Sequence, residues 1–503
     1  MTPVKNRPDH VVILGAGPAG LAVAHELSAS GVKATVLERN DFVGGLCNTE
    51  EVNGYKFDLG GHRWFTKNED LNNWFRRLMG DEIVMVNRIS RIFHHGIFYN
   101  YPIEFGNVLV KSSPLTVLHA GFSFLGESIR QAIAPKPIKN MEDAYTAQFG
   151  KKLYQMFFEQ YSEKVWGHPC NELSASWVSQ RTKGLSIWGV VANALFKSKK
   201  DKVVSLIELF MYPRDGYVRI PQRMAEDIEK AGNKVQLEST VTAVKANGPG
   251  DFEVTYKDKA GKETVVKANA VVSTIPLGIF ARILTPKCSP EVEAAAKTME
   301  FRDIITVNLM LKRKQVTPDT WIYVQDREIV FGRIHEPKNW SPAMVPDDDH
   351  TSVVLEVFCT RGDHLWNMTD DELAKQCVED MVTKLKFIDR SEVVGWHVVR
   401  AIQAYPVYDL TYEDKLKVVM DYINAIPGAH VVGRGGTHRY NNADHSIEMG
   451  LLLGRHLLGN NVDYMAVNTE QEYHEEIRSS MGRDHYVPTA EPEMEVVRSK
   501  GAA

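Results

Sequence analysis

Cysteine is scarce in this chain: five in 503 residues, at positions 47, 170, 288, 359 and 377. The number is odd, the spacings are wide and no pair has metal-ligand spacing. A disulfide framework and a cysteine zinc site are excluded as organising features, and a reducing compartment is the default. An excess of one charge is also missing. Lys and Arg number 59 against 64 Asp and Glu, a net charge of −5, so nothing in the balance points to nucleic acid or an anionic membrane as partner. Long apolar runs are absent too. No window approaches the ~18 uninterrupted apolar residues of a membrane span, and the best stretch, Leu115 to Leu125, is short and interrupted. Met1 to His10 lack the apolar core of a signal peptide. There is no internal repeat and no low-complexity segment. The expectation is a cytoplasmic protein with no nucleic-acid partner, no metal site and no membrane span.

What is present is a globular composition, 44% hydrophobic and 24% charged, on a chain long enough for two or more domains. The most informative stretch comes first. Val11-Val12-Ile13-Leu14 predicts a short buried strand, and Gly15-Ala16-Gly17-Pro18-Ala19-Gly20 a tight turn into a helix. In this Gly-x-Gly-x-x-Gly pattern Gly15 permits the turn, Gly17 admits a pyrophosphate, and Gly20 lets helix and strand pack closely. The helix N-terminus then offers free N–H groups and a positive dipole end to phosphates. A second strand, Ala34 to Leu37, ends in Glu38, 23 positions after Gly15 (38 − 15). An acidic side chain there takes the ribose hydroxyls of a dinucleotide. The same spacing fits a βαβ unit without ligand, and it does not say which dinucleotide is held.

Two paired-glycine loops follow. One, opened by Arg39, carries Gly44-Gly45-Leu46; the other is Gly60-Gly61-His62, after a strand at Tyr55 to Leu59. Paired glycines suit a chain running close against a ligand, and His62 is expected on exposed, mobile backbone. Residues 89 to 103 alternate and are rich in aromatics, which predicts a β-hairpin turning at His95-Gly96. From Phe105 to Leu209 the pattern is helical, with Tyr145, Phe149, Leu153, Phe157 and Tyr161 forming one core stripe. Strands are expected at 235–244, 252–256 and 266–275, the last returning to the first sheet. Residues 301 to 400 are strand-rich, with one amphipathic helix from Asp371 to Phe387 that shows Leu373, Cys377, Met381 and Leu385 on one face. His430-Val431-Val432-Gly433-Arg434-Gly435-Gly436 repeats the strand-to-glycine pattern, and the polar tail from Pro488 is expected to be disordered.

The N-terminal motif together with the late Gly-Arg-Gly-Gly suggests FAD rather than NAD. The expected fold is α/β: a discontinuous Rossmann-type FAD-binding domain (9–104, 216–290 and 426–465) interleaved with a helical insertion (105–215) and an antiparallel-sheet substrate domain (291–425), then an extension (466–503). The first motif with Glu38, the Gly44-Gly45-Leu46 loop and the returning strand at Val271 resemble the amine oxidase, protoporphyrinogen oxidase and phytoene desaturase group of flavoproteins.

Finer motifs resemble the UDP-galactopyranose mutases, especially their eukaryotic-type members, over roughly residues 10 to 460. Gly60-Gly61-His62 is similar to the mutase loop that places a His beside the flavin's reactive edge. Tyr161-Ser162-Glu163-Lys164-Val165-Trp166, then Trp177-Val178-Ser179-Gln180-Arg181, resemble the segment with a substrate Trp and the first diphosphate Arg. Trp321-Ile322-Tyr323 and Phe331-Gly332-Arg333 resemble the segment with a substrate Tyr and, ten positions on (333 − 323), the second diphosphate Arg. Gly433 to Ile447 resembles the Gly-Arg…Arg-Tyr…Asp-His-Ser segment that holds FAD and turns a Tyr to the substrate phosphate.

The resemblance implies that FAD lies against Gly15, Gly17, Pro18, Ala19, Gly20, Glu38, Arg39, Gly44, Gly45, Leu46, Gly60, Gly61, His62, Val241, Gly433, Arg434, Asn442, Ala443, Asp444 and Ser446. It implies a nucleotide-diphosphate sugar against Tyr101, Glu104, Tyr161, Trp166, Arg181, Tyr323, Arg333, Tyr405 and Tyr440, with His62, Arg181 and Arg333 serving the reaction. Two Arg forks suit a diphosphate with about two negative charges. In the implied mechanism the N5 of reduced flavin displaces the nucleotide diphosphate from the anomeric carbon, the adduct opens to an iminium, and the sugar recloses through another hydroxyl. No net oxidation occurs, and no protein nucleophile or metal is needed. No second Rossmann fingerprint is visible, so NAD(P)H as reductant would use the substrate cleft transiently. A homo-oligomer is compatible with all of this.

One departure bears on the base. Glu104 stands where the eukaryotic-type mutases carry an amide, and Ser162 departs likewise. An ionised carboxylate only accepts hydrogen bonds, which suits guanine better than uracil, so the nucleotide need not be UDP. Two other readings stay open: an amine oxidase-like or desaturase-like oxidoreductase, and a flavin-binding scaffold without catalysis.

Overall fold

The computed structural model describes residues 7–101, 105–178, 205–206, 209–468, 476–477 and 496–497. Glu104, Arg181 and most of the polar tail lie outside the described residues.

The first sheet has five strands, all parallel. It is built from β1 (His10–Leu14) and β2 (Lys33–Leu37), joined by helix α1 (Pro18–Ala29), and from β3 (Lys234–Gln236), β4 (Ala270–Ser273) and β5 (Ala429–Val431). The order is β3-β2-β1-β4-β5. Val11 to Leu14 and Val271-Val272 are wholly buried because α1 and its neighbours cover one face, and the antiparallel strands of residues 240–268 with helices Leu277–Ile283 and Tyr412–Asn424 cover the other, so these strands read as continuous apolar runs rather than alternating ones. The chain leaves β1 to one side for β2 and β3 and to the other for β4 and β5. Such a reversal opens a crevice beyond the carboxyl ends of the strands, and Gly15 stands at its floor. Helix α2 (Ala443–Leu457) packs on α1 and completes the layer.

The second sheet has seven strands in the order Val393–Pro406, Phe301–Leu311, Thr351–Cys359, Arg333–His335, Trp321–Val324, Ser90–His94, Ile97–Asn100. All neighbours are antiparallel except Trp321–Val324 with Ser90–His94. The hairpin turns at His95 (φ 48°) and Gly96 (φ 79°). It thus extends the sheet of residues 301–406, although in sequence it lies among the cofactor-binding segments. Helix Asp370–Glu379 covers one face with Leu373, Ala374 and Cys377, and Met381 and Leu385 continue that packing through a π-turn at Asp380–Lys384.

A helical stretch packs against the second sheet: Phe105–Lys111, Pro114–Ile133, Met141–Tyr154 and Gln160–Trp166. Its aromatic stripe is core from Tyr145 to Phe157, but not on one continuous helix. Residues four apart drift by about 40° per step on a 3.6-residue helix. Gly150 (φ 76°) and a π-turn at Gln155–Glu159 interrupt the helix and absorb that drift. Tyr161, the last of the series, is only half-buried. Leu115, Leu118, Phe122, Leu125, Ile129 and Ile133 line an exposed apolar stripe on Pro114–Ile133. No helix among the described residues is long and apolar enough to cross a membrane.

Candidate cofactor and substrate site

The site begins where β1 turns into α1. Gly15 has φ 102° and donates its N–H to Leu37 O at 2.8 Å. A Cβ at Gly20 would lie 2.2 Å from Gly15 O, so helix and strand approach as only glycine allows. Gly17 caps α1 with no side-chain hydrogen bond, Pro18 opens the helix, and a Cβ at Gly17 would meet nothing within 4 Å. First-turn N–H groups therefore face open space, which is the chemistry of an anion site. Gly44 donates to Ala16 O at 2.8 Å, and a Cβ on Gly45 would lie 3.7 Å from Gly17 Cα, so this loop and Leu46 border the same space. Glu38 is buried, and its two oxygens accept from Ala16 N–H (2.8 Å) and Asn40 N–H (2.9 Å). Each oxygen keeps a lone pair for a hydroxyl. Arg39 is exposed, while Val241 packs in the same cluster as Leu37.

Helix α2 adds a second N-terminus. Gly450 and Gly454 let it touch α1, with added Cβ atoms 2.4 Å from Ala19 O and 2.7 Å from Glu26 Cβ. The contacts run in the same order along both helices, so the helices are parallel. At 1.5 Å per residue the two contacts put the start of α2 about 5 to 9 Å before that of α1. Asn442 caps it, Asp444 and Ser446 are buried in its first turn, and Ala443 is half-buried. A Cβ on Gly433 (φ 80°) would meet Ala19 Cβ at 2.7 Å. Two offset helix N-termini, an open glycine and a half-satisfied buried carboxylate fit an extended dinucleotide.

Farther along, Gly60 (φ 102°) turns the chain toward His62. Asp58 anchors this loop through Thr49 Oγ1 (2.6 Å), Tyr212 OH (2.6 Å) and Tyr217 N–H (3.1 Å). Burial, opposed by these bonds, pushes the Asp58 carboxyl up to about 6. Gly61 is exposed, but His62 is half-buried against Tyr217, with ring centroids 5.3 Å apart. The loop histidine is thus no exposed, mobile one: the Asp58 anchors and Tyr217 hold it in place. Its Nδ1 is buried without a partner among the described residues. Burial, then the charges of Arg434 and Arg333, lower its pKa to about 3 and keep the ring neutral.

Behind the loop sits Glu356, 1% exposed. Its Oε1 accepts from Gly61 N–H at 3.2 Å, and its Oε2 lies 2.5 Å from Arg333 Nη2. Arg333 also donates to Tyr405 OH at 2.6 Å, and its Nε is buried without a partner among the described residues. One carboxylate therefore ties the His62 loop to Arg333. His335, next to them, is driven down to about 3 by burial and by its neighbours His62 and Arg333.

An aromatic wall completes the site. Tyr101 and Tyr161 pack on Tyr323 at 4.8 and 5.6 Å between centroids. Trp166 and Trp177 approach Tyr440 at 6.2 and 4.7 Å, and Tyr405 stacks on Tyr440 at 5.6 Å. Arg434 lies over Tyr405 and Tyr440 and donates to Asn441 O (2.8 Å) and Ala404 O (2.9 Å). Burial raises the phenol pKa of Tyr161 and pushes that of Tyr405 up to about 12, so both stay neutral donors. The structure thus gathers Tyr101, Tyr161, Trp166, Tyr323, Arg333, Tyr405 and Tyr440 from segments up to 339 positions apart (440 − 101). Trp177, from the motif that ends in Arg181, joins them, and Glu356 and His335 join them unannounced by motif. Of these last two, only Glu356 left a sequence signal, an acid inside the apolar run Ser352-Val353-Val354-Leu355-Glu356-Val357-Phe358.

Residues 18–442 match the family described as Flavin containing amine oxidoreductase. Protoporphyrinogen oxidase 1, chloroplastic, of Spinacia oleracea is 23% identical over 419 residues, 74% of this chain and 70% of that protein. A protein of Klebsiella pneumoniae named "Probable UDP-galactopyranose mutase" is 27% identical over 175 residues, 33% of this chain and 43% of its own. The solved structure of a reduced UDP-galactopyranose mutase superposes with a TM-score of 0.78 at 23% identity, covering 94% of this chain and 97% of that one. The chain belongs to the flavin-containing amine oxidoreductase family and has the fold of the UDP-galactopyranose mutases.

Proposed function

We propose that the protein is an FAD-dependent mutase that interconverts the pyranose and furanose forms of a nucleotide-diphosphate sugar, in the supply of precursors for cell-surface polysaccharide or glycoconjugate. The observation that carries this reading is Arg333. Its Nε is buried, and unpartnered among the described residues, beside three tyrosines, Tyr161, Tyr405 and Tyr440. That set binds a dianionic diphosphate, charge from the fork and neutral hydrogen bonds from the phenols.

The glycine loops, Glu38 and the two helix N-termini would hold FAD, and reduced FAD when bound supplies the electron pair at N5 that the anomeric carbon needs. Arg333, with Arg181 from outside the described residues, would neutralise the departing diphosphate and keep it for return. Neutral His62 would present a hydrogen-bonding edge without adding charge beside the reacting centre. The aromatic wall would exclude the water that otherwise hydrolyses an activated sugar. NAD(P)H would serve as reductant from the same cleft. The reaction would run in the cytoplasm, by a monomer or a homo-oligomer.

A second reading, an oxidoreductase acting on an amine or a porphyrinogen, draws on the family and on the spinach relative. One experiment separates the two. The purified protein is reduced with dithionite without oxygen, supplied with UDP- and GDP-hexopyranoses, and the products are separated by chromatography. Furanose isomers formed without stoichiometric use of reductant are the expected result. Oxygen uptake with an amine or porphyrinogen panel, and no isomer, refutes the mutase. Preference for GDP over UDP supports a base contact through Glu104; clear UDP preference removes it.

A further inference from the structure

The turn between the strand that carries Tyr323 and the strand that carries Arg333 wraps around one side chain. Lys164 Nζ donates to the carbonyls of Val324 (3.2 Å), Asp326 (2.7 Å), Ile329 (3.0 Å) and Phe331 (3.1 Å). Among the described residues no other side chain links these four points. Lys164 belongs to the helix Gln160–Trp166, the same helix that places Tyr161 against Tyr323 and Trp166 near Tyr440. Gly332 makes room for it: a Cβ there would lie 3.3 Å from Lys164 Cδ and 2.7 Å from Phe358 Cε2.

We propose that Lys164 is a positioning residue, whose ammonium locks the 324–331 turn to the 160–166 helix and so sets the spacing between Tyr323, Tyr161 and Arg333 at the diphosphate site. The inference rests on the mutase reading for its ligand, and it goes beyond it in assigning a residue that touches neither cofactor nor sugar.

The chemistry depends on the charged form. An ammonium has three N–H groups for four carbonyls, whereas a neutral amine has two and turns its lone pair toward a carbonyl oxygen. Burial lowers the pKa of Lys164 to about 7, against the pull of Asp326, Glu328 and Asp380 and with the push of Lys384. Asp326 is itself held by His94 Nδ1 and the His95 N–H, Asp380 by Lys384, and Arg327 of the turn pairs with Glu163 of the helix. The lock is thus closed below about pH 7 and loosens above it.

The test measures binding of UDP- and GDP-hexoses to the oxidised holoenzyme, by the change in flavin absorbance, for wild type and K164M. K164M is expected to load FAD with an unaltered spectrum and to bind the nucleotide sugar about tenfold more weakly, as a displaced contact pair would. Wild-type Kd is expected to rise between pH 6 and 8, while that of K164M stays flat. A K164M holoenzyme that binds like wild type overturns the proposal. If K164M fails to load FAD, the wild-type series decides, and a Kd constant from pH 6 to 8 overturns it. Wild type that binds no nucleotide sugar overturns the mutase reading itself, a result distinct from equal binding by both proteins.

Discussion

At the scale of single residues the site turns on Arg333 and the acid behind it. Lys in place of Arg keeps the charge but loses the planar fork that serves Glu356 and Tyr405 together and, in the proposed function, a phosphate. R333K is expected to load FAD normally and to lose about 1.5–3 kcal/mol of transition-state binding, roughly a 10- to 150-fold fall in kcat/KM for the nucleotide sugar. Unchanged kinetics would remove Arg333 from the diphosphate site. Arg333 was legible in the sequence because it stands in a motif with Tyr323. Glu356 was not. Its partners are Gly61, 295 positions away, and an arginine on a neighbouring strand, so a lone acid in an apolar run read simply as strand.

At the scale of elements the first βαβ unit is the most local part of the protein, and the structure follows the sequence closely there. The Gly15 turn, the helix and Glu38 all sit within 24 residues of one another (38 − 15 + 1). The closeness of α1 to β1 leaves no room at Gly20, where a methyl group would press on a backbone carbonyl that cannot move aside. G20A is expected to fold with α1 displaced and to lose most of its bound flavin, read as the ratio of flavin to protein absorbance after purification. A G20A protein with full flavin would refute the close-packing argument. The aromatic stripe from Tyr145 was equally readable as core, but its breaks were not. Spacing reports which side chains share a face; it does not report that Gly150 leaves the helical region, where a Cβ would meet the Phe124 backbone at 2.8 Å.

At the scale of the whole molecule, burial of histidines sets the response to acid. His62 and His335 are lowered to about 3, and His430 and His438 to about 4, each first of all by burial. The unfolded chain takes these protons near 6.5 and the folded chain does not, so stability is full above about 6.5 and falls as pH drops below it. Asp58 and Glu336, raised to about 6 and about 7 by burial, act in the opposite sense, because acid relieves their buried charge. Four groups with shifts larger than or similar to those of the two acids outweigh them. The melting temperature is therefore expected to fall between pH 6.5 and 4.5, and a flat or rising profile in differential scanning calorimetry would contradict the assignment.

The sequence by itself determined the local pieces: the glycine turn with its strand, helix and acid, the hairpin at His95-Gly96, the helical stretch and the late Gly433-Arg434 segment. Each depends on residues a few positions apart, where backbone sterics and hydrophobic periodicity act directly. The tertiary structure alone decided that the hairpin joins the second sheet, that α2 starts ahead of α1, and that Glu356 couples the His62 loop to Arg333. Those outcomes rest on strand pairing and helix contact between distant segments. Periodicity marks a face for burial, but which partner covers it is chosen only when the whole chain packs.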